Sequence, residues 1–226
     1  MKTLIVISHP DIENSNTQQF LLQGAKHQNV DTLHLDNYSF NSQANQQSDL
    51  EKYDRIIFQF PLYWYSAPYS LKKWIDEVFT RGFVYGSESK LIGKEFGIVV
   101  STGMPEKNFA VGGGDGYSID QIMTPYYALA RRAGMQILPT LKVFQFYNMS
   151  EREHMNLLVD YQRYITQKYP DTLENKIEWF INQFDEQVDE FDNSEPVKNL
   201  LEDLGIELDT LKLTVEDIKN GGDSNE

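Results

Sequence analysis

The segment from His9 to Thr17 combines side chains that could hold an anion at the start of a helix. It follows a continuous apolar run, and Ser15 and Thr17 carry hydroxyl groups where a helix is expected to begin. Because the first amides of a helix have free N–H groups and the positive end of the helix dipole, such a terminus attracts phosphate. His9 adds a further donor. Alternatively, Ser15 and Thr17 only cap the helix and His9 only pairs with a carbonyl group.

This segment lacks the features of the common nucleotide-phosphate loops. No glycine-rich turn ends in a Lys-Ser or Lys-Thr pair, and no G-x-G-x-x-G follows the first apolar run. Magnesium-dependent nucleotide hydrolysis and a Rossmann dinucleotide turn are therefore not supported.

A second segment, Pro61–Pro68, places three aromatic residues between two prolines directly after another apolar run. Turns favour Gly, Asn, Asp and Ser, so turn formation does not explain Tyr63, Trp64 and Tyr65. A planar heteroaromatic ligand that stacks on a ring and binds the loop amides would explain them. In the alternative interpretation, these rings pack under the helix that follows.

A third segment, Ser101 to Pro105, again follows an apolar run directly. Gly103 has no Cβ and would let the backbone approach a ligand closely. Four glycines follow between Gly112 and Gly116. They do not form a phosphate loop by themselves and are equally compatible with a flexible surface loop.

The elements that precede these segments should bring them together. Strands are predicted at Thr3–Ile7, Val30–Leu35, Arg55–Phe60, Glu95–Ser101 and Met135–Phe144. Helices are predicted at Ser15–Gln28, Ser70–Phe79, Ile119–Ala133 and Glu151–Lys168. Because strands alternate with helices, we expect an α/β fold with a doubly wound, parallel, five-stranded sheet. Ligands of such sheets bind beyond the carboxyl ends of the strands, where the three segments lie.

Two parts of the chain depart from this alternation. The polar segment Asn37–Asp49 is predicted to be irregular. Asp171–Phe191 predicts an amphipathic helix, and an acidic, partly helical extension follows it. We therefore expect a main domain over residues 1–192 and a C-terminal extension over residues 193–226.

The charge balance excludes several classes of function. The chain has 226 residues, of which 34 are acidic and 20 basic, and its net charge is −14, with most of the acidic excess after Asp171. Such a chain repels phosphate backbones and anionic lipids, so we expect no binding to nucleic acid. No run of apolar residues approaches the ~18 of a membrane helix, so we also expect no insertion into a membrane. The absence of cysteine excludes disulfides, thiol catalysis and cysteine-bound metals. We expect a cytoplasmic protein without a metal site.

One stretch, QFPLYWYSAPYSLKKWIDEVFTRGFVYG from Gln59 to Gly86, resembles the signature of the flavodoxin-like NAD(P)H:quinone oxidoreductases. This family includes modulators of drug activity and the ancillary flavoproteins of glutathione-gated potassium efflux systems. Weaker similarity lies in His9-Pro10, in Ser101-Thr102-Gly103 and in Gly134-Met135 with Leu138-Pro139. The resemblance covers about residues 1–170 and implies a flavodoxin-like sandwich.

The resemblance also implies a tightly bound flavin, FMN rather than FAD, with FAD left open, and NAD(P)H as co-substrate. The phosphate side would be His9, Ser15, Asn16, Thr17 and Gln18. The loop along the isoalloxazine would be Pro61, Leu62, Tyr63 and Trp64, and the loop at the ring edge would be Ser101, Thr102, Gly103 and Met104. Members of the family work as homodimers with the active site at the subunit interface, and Tyr85 matches a pocket tyrosine that the partner subunit supplies.

Two positions depart from the family pattern and are candidates for the substrate pocket together with Tyr85. Met104 stands where the family usually has glycine, so it either narrows the pocket or points away. Phe109 stands where a tyrosine is frequent, and in some members a Tyr–His pair buffers charge during hydride transfer. Phe109 has no hydroxyl, so this relay is not expected here. Tyr117 is a possible substitute.

The leading interpretation is a flavin-dependent NAD(P)H oxidoreductase that transfers hydride through the flavin to a quinone or a similar planar electrophile. An alternative is a regulatory flavoprotein subunit of a potassium efflux transporter, whose acidic extension would dock a basic partner. A one-electron carrier like flavodoxin is a third interpretation. The aromatic segment and the expected interface pocket argue against it.

Overall fold

The computed structural model describes residues 1–26, 28–36, 43–86 and 89–187, with a few separate helical residues between 199 and 214. Two compact units are present, residues 1–166 and residues 167–226. In the second unit, the helix Leu173–Gln187 brings the rings of Trp179 and Phe180 edge to face with centroids 5.0 Å apart. The predicted domain boundary after residue 192 lies outside the described residues and stays a prediction.

The first unit is built on a sheet whose paired strands all run parallel. The strands are β1 (Thr3–Ile7), β2 (Val30–His34), β3 (Arg55–Pro61), β4 (Glu95–Thr102), β5 (Gln136–Ile137) and β6 (Leu141–Phe144). Their order is β2-β1-β3-β4, and β5 and β6 both pair with the outer edge of β4. The sheet thus has five strand positions, and the predicted doubly wound α/β fold is confirmed.

Helices connect the strands. They are α1 (Asn16–Ala25), α2 (Gln43–Leu50), α3 (Tyr69–Val78), α4 (Ile119–Ile122), α5 (Thr124–Arg132) and α6 (Glu151–Thr166), with α7 (Leu173–Gln187) in the second unit. Short 3-10 turns lie at Glu106–Phe109 and Phe146–Asn148. No described helix is both long and apolar enough to cross a membrane. Within the same residues, no group of three His, Asp or Glu side chains is placed to hold a metal ion.

Proline residues explain why one predicted strand and one predicted helix are each interrupted in the structure. The predicted strand Met135–Phe144 is interrupted between β5 and β6, since Pro139 has no N–H to donate to the neighbouring strand. The predicted helix Ile119–Ala133 is split into α4 and α5 near Met123. Pro125 lies in the first turn of α5, where proline is tolerated, but it has no N–H to donate to the carbonyl of Gln121, so the hydrogen bonding of one continuous helix is interrupted there.

The segment predicted to be irregular contains a helix. Residues 37–42 lie outside the described residues, but α2 occupies Gln43–Leu50, so that prediction was wrong for this part. Tertiary contacts hold α2: Gln46 accepts a hydrogen bond of 2.7 Å from the Trp74 indole, and Leu50 is buried in the core. Such contacts leave no periodic apolar pattern in the sequence. Helix α1 also ends earlier than predicted, at Ala25 rather than Gln28.

Alternate residues of the central strands contribute to two apolar clusters on opposite faces of the sheet. Val6 and Phe58 join the cluster that contains Trp74 of α3. Ile5 and Ile57 join the cluster that contains Leu21 of α1 and Tyr161 of α6. Because side chains of a strand alternate between faces, strands that are apolar at every position must be covered on both sides. The helices therefore form the two outer layers, and the loops at the strand ends remain accessible.

The amino ends of β3 and β4 are joined by a buried ion pair. Arg55 is 1% exposed, its Nη2 lies 2.6 Å from Glu95 Oε2, and its guanidinium also donates to the carbonyl of Tyr164 in α6. The hydroxyl of Tyr164 in turn accepts a hydrogen bond of 2.9 Å from the Ile98 amide. The burial of this hydroxyl raises its pKa above the ordinary tyrosine value. These contacts fix α6 against the sheet.

Gly97 is the residue that allows this close approach, and Gly97→Ala tests it. A Cβ at Gly97 would lie 2.7 Å from the Tyr164 hydroxyl oxygen. We expect the substitution to lower the free energy of unfolding by about 1–3 kcal/mol, because overfilling a packed site forces its neighbours to move. Urea titration measures the change. In the control, Gly114→Ala, the new Cβ meets nothing closer than 3.8 Å, and equal losses in the two variants would contradict the account.

Candidate functional site

The three segments singled out from the sequence converge on one cavity of about 160 Å³ beyond the carboxyl ends of β1, β3, β4 and β6. Its lining consists of Ser15, Thr17, Pro61, Leu62, Tyr63, Ser101, Thr102, Gly103, Val143, Phe146 and Tyr147. All but the last three were proposed from the sequence as cofactor-binding residues. The structure therefore brings together eight of the thirteen candidates in one place.

Ser15 and Thr17 form the polar end of the cavity. The Ser15 hydroxyl caps α1 by accepting a hydrogen bond of 3.3 Å from the Gln18 amide, and its own proton stays available for a ligand. Thr17 is buried in the first turn of α1 and also lines the cavity. Ser15 can therefore both cap the helix and bind a ligand, although the sequence alone left these two roles as alternatives. Asn16, another candidate, is exposed and lies outside the lining.

His9 lies behind the polar end, in a buried position. Its Nδ1 accepts a hydrogen bond of 3.1 Å from the Asp11 amide, so the neutral ring carries its proton on Nε2. Burial is the largest influence on this ring and lowers its pKa below the ordinary histidine value. His9 is thus neutral at pH 7 and has one N–H donor. It is not among the residues that line the cavity.

A carboxylate whose side chain is only 12% exposed holds the backbone of this loop. Asp36, which follows β2, accepts hydrogen bonds from the His9 amide at 2.9 Å and from the Ser70 hydroxyl at 3.0 Å. Ser70 also shares a hydrogen bond of 2.6 Å with Ser8 at the end of β1. The ends of two strands and the start of α3 are thereby joined, which fixes the position of the loop relative to the sheet.

Gln18 supports the loop from the core. Its side-chain oxygen accepts a hydrogen bond of 2.8 Å from the side-chain Nε2 of Gln59. The side-chain oxygen of Gln59 in turn accepts a hydrogen bond of 2.8 Å from the Tyr161 hydroxyl. Gln18 is 1% exposed and does not line the cavity. Its position favours a role in holding α1 against β3, and direct contact with a cofactor stays a prediction.

The aromatic segment forms a tight turn with unusual backbone angles. Tyr63 and Ser66 exchange two backbone hydrogen bonds of 2.8 and 3.0 Å across the turn. Trp64 and Tyr65 both have positive φ, 48° and 61°, the pattern of a type I′ turn, in which Asn-Gly is preferred. Non-glycine residues held this way cost about 1–3 kcal/mol each, and such strain concentrates at functional sites. Of the three aromatic residues only Tyr63 lines the cavity, and Trp64 is 94% exposed.

The turn is tied to the glycine-rich segment. The hydroxyl of Tyr65 donates a hydrogen bond of 2.9 Å to Asp115, which raises the pKa of this phenol. Asp115 lies between Gly114 and Gly116, and its amide donates to the carbonyl of Asn108 at 3.1 Å. The glycine-rich segment is therefore anchored at its middle on the rim of the site.

Backbone contacts join the remaining walls. The Leu62 amide donates to the Ser101 carbonyl at 2.8 Å, which continues the pairing of β3 with β4 into the loops. The Gln145 amide donates to the Thr102 carbonyl at 2.8 Å. Gln145 has a φ of 45°, and the 3-10 turn that follows it carries Phe146 and Tyr147 into the cavity wall. Sequence reasoning missed these two residues, although they follow a predicted strand at the same edge as the other segments.

The four candidates for the substrate pocket are not among the cavity-lining residues. Phe109 is 7% exposed and packs against Phe144, with ring centroids 6.0 Å apart. Met104 and Tyr117 are exposed. Tyr85 is half-buried under the guanidinium of Arg132, which lies 4.7 Å from the centre of its ring.

The residues that line the cavity can bind a ligand but are not suited to transferring protons to it. The hydroxyl groups of Ser15 and Thr17 and the first amides of α1 lie on one side, Ser101 and Thr102 add hydroxyl groups from β4, and aliphatic and aromatic side chains form the remaining lining. Neither a carboxylate nor a histidine is among the described residues that line the cavity. Such a site suits a ligand with an anionic group at one end and a planar apolar group at the other.

A family model described as flavodoxin-like fold matches residues 1–165 of the chain. An uncharacterized NAD(P)H oxidoreductase of Bacillus subtilis is 36% identical over 171 residues, which are 74% of this chain and 87% of the relative. A glutathione-regulated potassium-efflux system ancillary protein of Erwinia tasmaniensis is 32% identical over 182 residues, 78% of this chain and 94% of the relative.

Two solved structures are also similar. An NADPH-quinone reductase from P. pentosaceus has 43% sequence identity and a TM-score of 0.70, with 74% of this chain and 98% of that chain covered. A general stress protein 14 from Treponema denticola, solved in complex with FMN, has 26% identity and a TM-score of 0.65, with 73% and 98% covered.

The strain in the aromatic turn predicts an unusual stability change. Replacing Trp64 and Tyr65 together by Asn and Gly should raise the free energy of unfolding by about 1–2 kcal/mol, because these residues accept positive φ readily. Urea titration measures the effect. The control replaces both residues by Ala, which removes the rings but keeps the strained Cβ atoms. If the Ala pair stabilises the protein as much as the Asn-Gly pair, the backbone is not the source of strain.

Proposed function

The chain belongs to the family of flavodoxin-like fold, and we propose that it works as a flavin-dependent NAD(P)H oxidoreductase that reduces a quinone or a similar planar electrophile. The observation that carries the proposal is the convergence of Ser15, Leu62 and Thr102, from three separate loops, on one cavity. The oxidoreductase relative and the NADPH-quinone reductase structure support the same activity. The cytoplasmic location stays a prediction from the sequence.

The residues present fit a flavin mononucleotide. The Ser15 hydroxyl and the first amides of α1 offer neutral donors and a positive helix end to a phosphate. Pro61, Leu62 and Tyr63 provide an apolar wall for a flat ring system, and Gly103 leaves room for close approach of the backbone. The FMN-bound structure of a similar chain supports FMN as the cofactor.

A bound flavin supplies the hydride chemistry, so the chain has to bind, orient and exclude water. The lining residues suit these tasks, since they include no carboxylate or histidine that would move a proton. Leu62 and Tyr63 present apolar surface on the ring side of the cavity, where a bound flavin would displace water. The hydrogen bonds of Asp36 to the His9 amide and the Ser70 hydroxyl hold the phosphate-side loop in one position relative to the sheet.

A second candidate function is regulation of a potassium efflux transporter. The similarity to a potassium-efflux ancillary protein favours it. In this case the same flavin site would report the redox state to a membrane partner, and the acidic second unit would meet a basic surface. Turnover of NAD(P)H and quinone by the isolated chain at rates typical of enzymes would favour the first function, because a regulatory subunit needs no fast turnover.

The flavin proposal is tested with Ser15→Asp. Asp caps helices as well as Ser does, so α1 should be retained, but its charge would repel a phosphate. We expect the FMN dissociation constant to rise at least about tenfold, as like charges a few ångströms apart near a surface repel by several kcal/mol. Flavin fluorescence quenching measures it.

Ser118→Asp is the matched control, since Ser118 caps α4 and does not line the cavity. The FMN affinity of Ser118→Asp should equal that of the wild type. The wild type itself should bind one flavin per chain and oxidise NAD(P)H in the presence of a quinone. A wild-type chain that binds no flavin, or an equal effect of both substitutions, would contradict the proposal.

The proposed assembly is a homodimer in which Tyr85 of each copy completes the site of the other. Tyr85 does not line the cavity of its own chain, and Arg132 holds its ring, which is consistent with presentation to a second copy. Two-fold packing is also the commonest form of oligomer.

Mixing two defective variants tests the shared site. Tyr85→Ala lacks the lent tyrosine, and Ser15→Asp binds FMN weakly, so at an FMN concentration that saturates only the wild-type site each variant alone should turn over quinone poorly. After denaturation and joint refolding, a mixed dimer combines an intact cofactor site with an intact Tyr85, and activity should exceed the mean of the parents. Activity at that mean, or a monomer by light scattering that still reduces quinone, would refute the shared site.

A further inference from the structure

Three aromatic rings pack together beside the polar end of the cavity. The Phe20 and Phe146 centroids are 5.1 Å apart, those of Phe146 and His154 are 4.5 Å apart, and those of Phe20 and His154 are 5.6 Å apart. We call Phe20, Phe146 and His154 the aromatic wall. Phe146 is also a lining residue of the cavity, so the wall is in direct contact with the site.

The wall is placed by the same elements that form the phosphate end. Phe20 follows Thr17 by three residues on α1, so the two side chains lie on neighbouring faces of the helix. Phe146 begins the 3-10 turn after β6. His154 in α6 donates a hydrogen bond of 3.1 Å from Nε2 to the Phe146 carbonyl, which holds the turn against α6.

We propose that the aromatic wall closes the phosphate end of the cavity to any extension of the nucleotide and thereby selects FMN over FAD. The inference rests on the proposed flavin function. FMN ends at a single phosphate, whereas FAD continues from that phosphate into a second phosphate and an adenosine. The extension would have to leave the cavity past the Ser15–Thr17 end, where Phe20 and Phe146 lie.

Charge and packing both oppose this extension. The faces of aromatic rings are negative, so a second phosphate gains nothing from contact with them. No lysine or arginine is among the described residues that line the cavity, and the whole chain carries a net charge of −14. All three rings of the wall are at least half-buried and contact one another. The neighbouring rings, tilted by 47° to 59°, cover part of each ring and reduce the surface that remains for stacking with adenine.

Phe20→Ala tests the wall, because it removes a ring that does not line the cavity itself. Apoprotein is titrated with FMN and with FAD, and flavin fluorescence gives both dissociation constants. In the wild type FMN should bind at least about tenfold more tightly than FAD, within the range by which pocket shape discriminates between ligands. In Phe20→Ala the preference should fall several-fold through tighter FAD binding, with FMN affinity unchanged.

Two further variants keep the test decisive. Phe20→Leu should give an intermediate preference, since it opens less space. Phe79→Ala is the matched control: Phe79 is also half-buried and contacts two rings, Phe58 and Trp74, but does not line the cavity. It should keep the wild-type preference.

The inference is overturned if the wild type binds FAD as tightly as FMN, or if Phe20→Ala changes both affinities equally. It is also overturned if Phe79→Ala alters the preference as much as Phe20→Ala does. Failure of the proposed function has a different signature, because the wild type would then bind neither flavin. A wild type that prefers FMN, with an unchanged preference in Phe20→Ala, overturns the wall alone.

Discussion

Parallel pairing obliges β1, β3, β4 and β6 to end at the same edge of the sheet, and the site depends on this constraint. Each loop that lines the cavity follows one of these strands directly, so the register of the strands sets the distances between the loops. The hydrogen bond from Leu62 to Ser101 extends that register by one residue into the loops. Residues more than a hundred positions apart in the chain thereby meet with little freedom, which is the preorganisation that a tightly bound cofactor requires.

The loops are held by buried polar contacts rather than by apolar packing alone. Asp36 joins the phosphate-side loop to α3 through His9 and Ser70. Gln59 joins α1 to α6 through Gln18 and Tyr161. Buried polar groups with complete hydrogen bonding specify one arrangement, since any other leaves a group unpaired. In the aromatic turn, by contrast, Trp64 and Tyr65 have positive φ between two residues, Tyr63 and Ser66, that are joined by two backbone hydrogen bonds. The free energy cost of these backbone angles is consistent with a function that requires this shape of the turn.

The central sheet and most of the cavity could be predicted from the sequence because they follow from local patterns. Apolar runs such as Thr3–Ile7 indicate buried strands, and polar or aromatic segments after them indicate the site. What could not be predicted depends on distant contacts. Helix α2 is held by the Trp74–Gln46 hydrogen bond, the side chain of Gln18 faces Gln59, and Phe109 packs against Phe144. Phe146 was within reach of the strand-end rule, because the predicted strand Met135–Phe144 ends two residues before it and β6 ends at the same residue.

A second cavity makes the central claim directly testable. It is larger, about 240 Å³, and lies against β2 and α2, but Asp31 and Asp49 in its lining would repel a phosphate. Amide chemical shifts of the ¹⁵N-labelled apoprotein during titration with FMN distinguish the two sites. The account predicts shifts concentrated at Ser15–Thr17, Leu62–Tyr63 and Thr102–Gly103, with little change at Leu33 and Leu50. Shifts concentrated at Leu33 and Leu50, or no shifts at saturating FMN, would contradict it.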